Sequence, residues 1–356
     1  GGPVVVEVRT EEVRLDARMI KAVEDADPGL VVCLMERSED EVIRSAMSQV
    51  EAELAYDVDQ SWAMVHLLQQ LMEAHVTGNI VIACPASHRS ALAAGASKAL
   101  VYEYPDLKIQ RVFVPRGEMK GSAGGGGGSR VDGDVEAVVR GAMGHRDETD
   151  ILLQTIRRKV LVQVPRLVPE EVGEARRIES WDRLDGSGTY IVSGGMGGVG
   201  QAVVKWLVND QGVHASRVCV LTRSKHSKSN GAVPGVTIVE VDCADREAVL
   251  TNEYLRGIDD VAGVFHLAGT LDDGLVANMT RKRMSVPVRP KTGALVLLEA
   301  IETLGWEPEW MILWSSTSSL LGYPGQTNYC AANTLLDHMV QWGDGLGGGT
   351  PLVGIN

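Results

Sequence analysis

Ser316 and Tyr329 stand thirteen positions apart, and Asn333 follows Tyr329 by four. Lys291 lies upstream, in Arg289-Pro290-Lys291-Thr292-Gly293. A serine, a tyrosine, a lysine and an asparagine in this arrangement suit carbonyl reduction. That chemistry needs a phenol able to give up a proton near neutral pH. Free tyrosine titrates near pH ~10, so a cation must stabilise the phenolate. Lys291 can supply that charge, and Ser316 can hydrogen-bond a substrate carbonyl. Taken singly, Tyr329 reads as a packed aromatic and Lys291 as a solvated surface charge. Only the elements around them can decide between the two readings.

The first such element is Thr189-Tyr190-Ile191-Val192-Ser193, a short apolar run followed by Gly194-Gly195-Met196-Gly197-Gly198-Val199-Gly200. Val199, Val203 and Trp206–Leu207 then recur at helical spacing. Glycines between a strand and a helix permit positive φ and close approach of backbone to a pyrophosphate. The helix N-terminus adds unpaired N–H groups and the positive end of its dipole. A nucleotide cofactor is expected here. A second strand, Arg217–Leu221, runs into Thr222-Arg223-Ser224-Lys225. An NAD site usually ends this strand with Asp or Glu, which holds the ribose 2′-OH. Arg223 stands there instead, with Lys225 and Lys228 nearby, and a guanidinium fork grips a 2′-phosphate. NADPH is therefore favoured. A third strand, Val236–Val241, ends at Asp242-Cys243. Asp242 either accepts from an adenine amino group or caps the helix that begins near Asp245. A fourth, Val261–His266, ends in Leu267-Ala268-Gly269, small enough to lie against a cofactor. His266 reads as structural.

The glycine loop, Phe265-His266-Leu267-Ala268-Gly269, Arg289-Pro290-Lys291 and Ser315-Ser316…Tyr329…Asn333 together resemble the ketoreductase domain of polyketide synthases, within the short-chain dehydrogenase/reductases. Most of that superfamily place Lys four residues after Tyr. Here Asn333 occupies that position and Lys291 precedes the serine, the order distinctive of polyketide and related fatty-acid synthase ketoreductases. The resemblance runs from about Ser180 to Asn356. It implies Lys291, Ser316, Tyr329 and Asn333 as the catalytic set. It also implies cofactor contacts from Gly194, Gly195, Met196, Gly197, Gly198, Val199, Arg223, Ser224, Asp242, Cys243, Ala268 and Gly269. Leu271-Asp272-Asp273 resembles the acidic triplet of B-type members, which implies a D-configured β-hydroxyl. The A-type tryptophan is replaced by Leu321. The implied partners are an acyl carrier protein domain bearing the β-ketoacyl chain and neighbouring synthase domains. The chain stops at Leu352–Asn356, which resembles the sixth strand of the catalytic fold. The lid helix and last strand of the family are therefore expected to be absent.

Before residue 180 the chain also alternates strand-like and helix-like signals. Val4–Val8, Leu30–Leu34, Ile80–Ala83 and Ile109–Val114 are apolar runs, and 39–55 and 58–76 carry helical periodicity. Such alternation argues a doubly wound parallel sheet. No glycine-rich loop follows its first strand, so this half offers no phosphate cradle. Ala99–Leu107 resembles the helix and turn near the end of the structural subdomain in polyketide ketoreductases, a degenerate Rossmann-like fold that braces its neighbour. The expected fold is thus α/β with two Rossmann-like parallel-sheet subdomains. Residues 1–180 form the structural one and residues 181–356 the NADP-binding, catalytic one. Gly121–Gly133 reads as a flexible coil, either a natural low-complexity insertion or an engineered join. Ile151–Val168 reads as strands between the halves.

The chain has 356 residues, 44% of them hydrophobic and 23% charged, which are globular proportions. Its formal net charge of −13 argues against non-specific nucleic-acid binding, which needs a basic surface. Arg281-Lys282-Arg283 and Arg157-Arg158-Lys159 are local exceptions. They could meet an acidic carrier domain or form solvated faces. The five cysteines are scattered, without metal-ligand spacing, and no metal is expected. No apolar run is long enough to span a bilayer, and no signal segment opens the chain. A cytoplasmic setting is expected. Two other functions fit the same residues less well. One is a free-standing short-chain reductase acting on a small ketone. The other is a redox-silent module that only docks a carrier domain.

Overall fold

The computed structural model describes residues 4–8, 30–35, 49–73, 78–85, 90–114, 141–142, 144–145, 147–156, 159–167, 184, 187–224, 233–342 and 346–356. The glycine run at 121–133, Arg157, Arg158, Lys225 and Lys228 lie outside them.

The β-branched runs become strands close to the expected positions. They are β1 (Val4–Val8), β2 (Leu30–Met35), β3 (Gly78–Pro85) and β4 (Leu107–Val114). β5 (Asp150–Ile156) and β6 (Lys159–Gln163) complete a six-stranded sheet. β1 to β5 pair in parallel, and β6 returns antiparallel to β5. The order β1-β2-β3-β4-β5-β6 follows the sequence without reversal. A doubly wound sheet would reverse, so that expectation is corrected for this half. A ligand crevice forms where strand order reverses. Among the described strands, the missing switch point agrees with the missing glycine loop.

The two longest described helices of this half carry its packing. α1 (Gln49–Glu73) is one continuous helix where the periodicity predicts two, because nothing between residues 55 and 58 breaks it. Its Met64, Leu67, Leu68 and Leu71 recur at helical spacing and are fully buried. α2 (Ala91–Glu103) is rich in small residues, and nine of its first ten residues are buried. It ends before the Pro105–Asp106 turn, as Ala99–Leu107 suggested. Arg111 on β4 lies directly opposite Asp150 on β5, and the two form a fork-to-fork ion pair at 2.7 and 2.9 Å. Burial alone would raise the Asp150 carboxyl. The charge and hydrogen bonds of Arg111, helped by Lys98, outweigh burial and hold it well below the usual carboxylate range.

The second sheet contains β7 (Thr189–Ser193), β8 (Val218–Thr222), β9 (Thr237–Glu240), β10 (Val261–His266), β11 (Met311–Trp314) and β12 (Leu352–Ile355). All pairs are parallel, in the order β12-β11-β10-β7-β8-β9. This is Rossmann order, and it reverses between β7 and β10. α3 (Gly198–Lys205) follows the glycine loop and continues as a π-helical turn, Trp206–Asp210. α4 (Arg246–Thr251) is capped by Asp245, whose side chain accepts from Ala248 N. The capping alternative for Asp242 is thereby corrected. α5 (Glu253–Arg256), α6 (Arg281–Leu304), α7 (Thr317–Leu321) and α8 (Thr327–Trp342) complete the described helices.

The sheet core joins Tyr190, Val192, Val220 and Phe265 to the aromatic residues Trp206, Trp310 and Trp314. A Cβ at Gly263 would come within 2.5 Å of the Trp310 ring, so a side chain at that strand position would have to displace the ring. The chain divides into two compact units. One contains Gly1–Arg166, Asp272–Ser285 and Thr317–His338, and the other Leu167–Leu271, Val286–Ser316 and Met339–Asn356. Among the described residues no helix is long and apolar enough to cross a membrane.

Candidate active site

In the second unit the carboxyl ends of the parallel strands bring the expected cofactor residues to one edge. Gly194 leaves β7 at φ 72°, in the left-handed region that favours glycine. A Cβ there would lie 2.8 Å from Ala268, so the glycine turn packs directly on the loop after β10. A Cβ on Gly200 would sit 2.3 Å from the Gly194 carbonyl, which closes the helix onto the loop. Gly198, by contrast, faces open space, and no side chain caps the start of α3. Val199 is 55% exposed, so it does not belong to the buried stripe that its spacing suggested. Val203 and Leu207 do. The exposed residues Gly197–Val199, the open space at Gly198 and the uncapped helix start together suit a pyrophosphate.

Arg223 is exposed at the end of β8, beside Ser224, whose N–H donates to Thr222 Oγ1 at 3.4 Å. Asp242 accepts from Ala244 N at 3.0 Å and pairs with Arg289 at 3.3 Å. Cys243 is packed under α6, where a Cβ on Gly293 would lie 2.6 Å from its sulfur. Burial first, then the charge of Asp242, pushes its thiol up to about 12.

Lys291 is 4% exposed, and its Nζ donates to the Trp314 carbonyl at 2.5 Å. A Cβ on Gly269 would lie 3.7 Å from that Nζ. The lysine is therefore a buried cation beside the loop after β10 and against the last residue of β11, two positions before the half-buried Ser316. The solvated-charge reading of Lys291 does not hold. His266 is fully buried, with Nδ1 2.7 Å from Ser193 Oγ. Burial, and then the nearby Lys291 charge, lower it to about 3. A neutral imidazole bridging β7 and β10 matches its structural reading.

In the first unit Tyr329 lies half-buried in the first turn of α8. Asn333, fully buried, donates from Nδ2 to the Tyr329 carbonyl at 2.9 Å. Asp272 is not a freely solvated residue. Its carboxylate pairs with Arg283 at 2.9 Å, and the same guanidinium takes the Asp273 carbonyl at 2.5 Å. Asp273 accepts from Gln326 at 3.0 Å. Leu271, at the end of the second unit's segment, is 60% exposed.

Residues 188–354 match the family model of the KR domain. Over this segment, just under half of its 356 residues, the chain is similar to the KR domain family. Every candidate residue above falls within it. The chain is 35% identical over 198 residues to the spectinabilin polyketide synthase system protein NorA of Streptomyces orinoci, covering 52% of this chain and 10% of that protein. It is 34% identical over 179 residues to the polyketide synthase GfsB of Streptomyces halstedii, covering 46% of this chain and 3% of that protein. The chain thus spans a small part of the length of the curated relatives it matches. A solved structure of A-type ketoreductases from a modular polyketide synthase has the same fold, at TM-score 0.68 and 19% identity, covering 99% of this chain and 78% of that one.

Sequence reading missed several residues that hold the candidate groups. Asn328 donates to the Asp272 carbonyl at 2.8 Å and to the Arg283 carbonyl at 2.9 Å, while its Oδ1 accepts from Tyr329 N. Pro287, inside α6, has no N–H for the Arg283 carbonyl, and Asn328 takes that place. The proline was the available signal, since it announces a carbonyl in need of a donor. Arg281 pairs with Asp59 and Arg283 with Asp272, so two of the three cations at 281–283 are engaged internally. This weakens the docking reading of that triplet.

Proposed function

We propose that this chain reduces a β-ketoacyl thioester, carried on an acyl carrier protein domain, to a D-configured β-hydroxyacyl thioester. The reading is supported by the KR match over 188–354 and carried by one observation. Buried Lys291 is tied to the end of β11 beside Gly269, at the same sheet edge as the glycine cradle. NADPH, when bound, supplies the hydride that goes to the keto carbon. Gly194–Gly200 suits its pyrophosphate, and Arg223 with Ser224 suits a 2′-phosphate. Asp242, Cys243, Ala268 and Gly269 would form the remaining wall.

The other steps belong to the chain. Ser316 donates a hydrogen bond to the carbonyl oxygen and stabilises negative charge as it forms there. Tyr329 passes its phenolic proton to that oxygen as general acid. Lys291 favours the phenolate that remains, and neutral His266 adds no second positive charge beside it. Asn333 supports the returning proton through water. Leu271-Asp272-Asp273 sets the face that receives hydride. Residues 1–180 act as the structural subdomain and 181–356 as the catalytic one, working with neighbouring synthase domains in the cytoplasm.

The test is to supply NADPH with a β-keto thioester or a simple ketone, follow loss of the reduced nicotinamide absorbance, and resolve the product on a chiral column. A thioester strongly preferred over the ketone, and a D product, are expected. Equal rates would favour the small-ketone reductase, and no oxidation would sink the reading.

A further inference from the structure

Glu103 ends α2, where the helix dipole disfavours an anion, and no basic residue lies in that last turn to offset it. Each of its oxygens is nonetheless used. Oε2 accepts from Val276 N at 2.7 Å, and Oε1 accepts from Gly325 N at 2.8 Å. Val276 closes the loop that opens with Asp272, and Gly325 lies four residues before Tyr329. Gly325 also has φ 76°, and its carbonyl accepts from Gly274 N at 2.7 Å. Gln69 of α1 donates to the carbonyls of Val276 and Met279. The half-buried carboxylate thus clasps two loops distant in sequence and already joined to each other by one backbone bond.

We infer that Glu103 is a positioning residue for the reduction. It fixes the Asp272–Val276 loop against the turn that launches α8, and through them the product's configuration and the rate of turnover. The chemical part of this inference rests on the proposed function, and the clasp itself does not. A residue that merely stabilised the fold would lower the melting temperature without changing which stereoisomer forms.

Two variants separate these roles. Glu103→Gln keeps the size but turns one acceptor into a donor facing a backbone N–H. Glu103→Asp keeps the charge and shortens the reach. For each, hydrogen exchange at the Val276 and Gly325 amides, melting temperature, NADPH affinity, kcat and the stereoisomer ratio are measured on the whole chain. In Glu103→Gln we expect faster exchange at one or both amides, NADPH affinity within about twofold of wild type, and kcat about tenfold lower. A measurable share of the opposite hydroxyl configuration should also appear. Unchanged exchange at both amides would overturn the clasp. Faster exchange with wild-type kcat and stereoisomer ratio would overturn the positioning role. If the wild-type chain reduced no β-keto thioester, the proposed function would fall, and the exchange result would alone decide the clasp.

Discussion

A lysine folded to 4% exposure carries a large desolvation cost unless its charge is met. Lys291 meets a carbonyl, that of Trp314, and it faces an imidazole kept uncharged. Such an expensive placement suits a group whose work is to favour a phenolate. Tyr329→Phe removes the proposed proton donor and little else. Its kcat should fall by about 10²–10⁴-fold, the usual worth of a general acid, while NADPH titration by fluorescence stays at wild type. Near-full activity would rule the assignment out. His266 gives a second outcome, and its sign is fixed by linkage. An unfolded histidine takes its proton near pH ~6.5, whereas the folded one takes it near 3. The unfolded chain therefore binds the proton first as pH falls. Stability is complete above about 6.5 and should decline by roughly a kcal/mol per pH unit below it, until about 3. Melting curves between neutral and acid pH check this, as does an imidazole NMR signal that fails to titrate near 6.5.

The elements that were legible are those whose own residues specify them. β-branched runs gave the strands, the glycine cluster between strand and helix gave the left-handed turn at Gly194 and the start of α3, and the turn at Pro105–Asp106 gave the end of α2. Val199 and the break near residue 55 misled because periodicity reports spacing and not which neighbour a face will meet. Gly95 was invisible for a related reason. Nothing in α2 alone requires glycine, yet a Cβ there would lie 2.5 Å from Thr334 Oγ1 and 2.7 Å from Ala331 Cα of α8. The requirement belongs to the helix pair. Gly95→Ala must force α8 outward at the level of Thr334, one turn beyond Tyr329 in the same helix. Overpacking of this kind costs about 1–3 kcal/mol, so chemical denaturation should show that loss. It should be accompanied by a drop in kcat larger than a destabilised but unmoved α8 would give.

At the scale of the molecule, two α/β halves with parallel sheets were foreseeable from alternation of strand and helix signals, and the unreversed strand order of the first sheet was not. Order is set by which edges meet in space, and the sequence of the first half contains no glycine loop to mark a reversal. Nor could the sequence show that the first unit includes 272–285 and 317–338 along with 1–166. The consequence is testable by dissection. A fragment of residues 181–356 retains every residue proposed to do chemistry, but it loses Gly95, Glu103, Gln69 and Lys98, the last a donor to the Ser319 carbonyl. It would also expose the apolar face that α8 turns toward α2, including Ala331. Expressed alone, the fragment should lack a cooperative melting transition and reduce nothing, and a fragment with wild-type turnover would refute this account.

The clasp at Glu103 also bears on recombination. A chimera that joins the first half of one such chain to the second half of another cuts where sequence similarity suggests a seam. The carboxylate and the two amides that it holds would then come from different parents. The proposed catalytic residues would all be inherited intact, and product handedness could still change. Transplanting α2 together with the 272–285 and 317–338 segments keeps the match, so the heritable block is discontinuous along the chain.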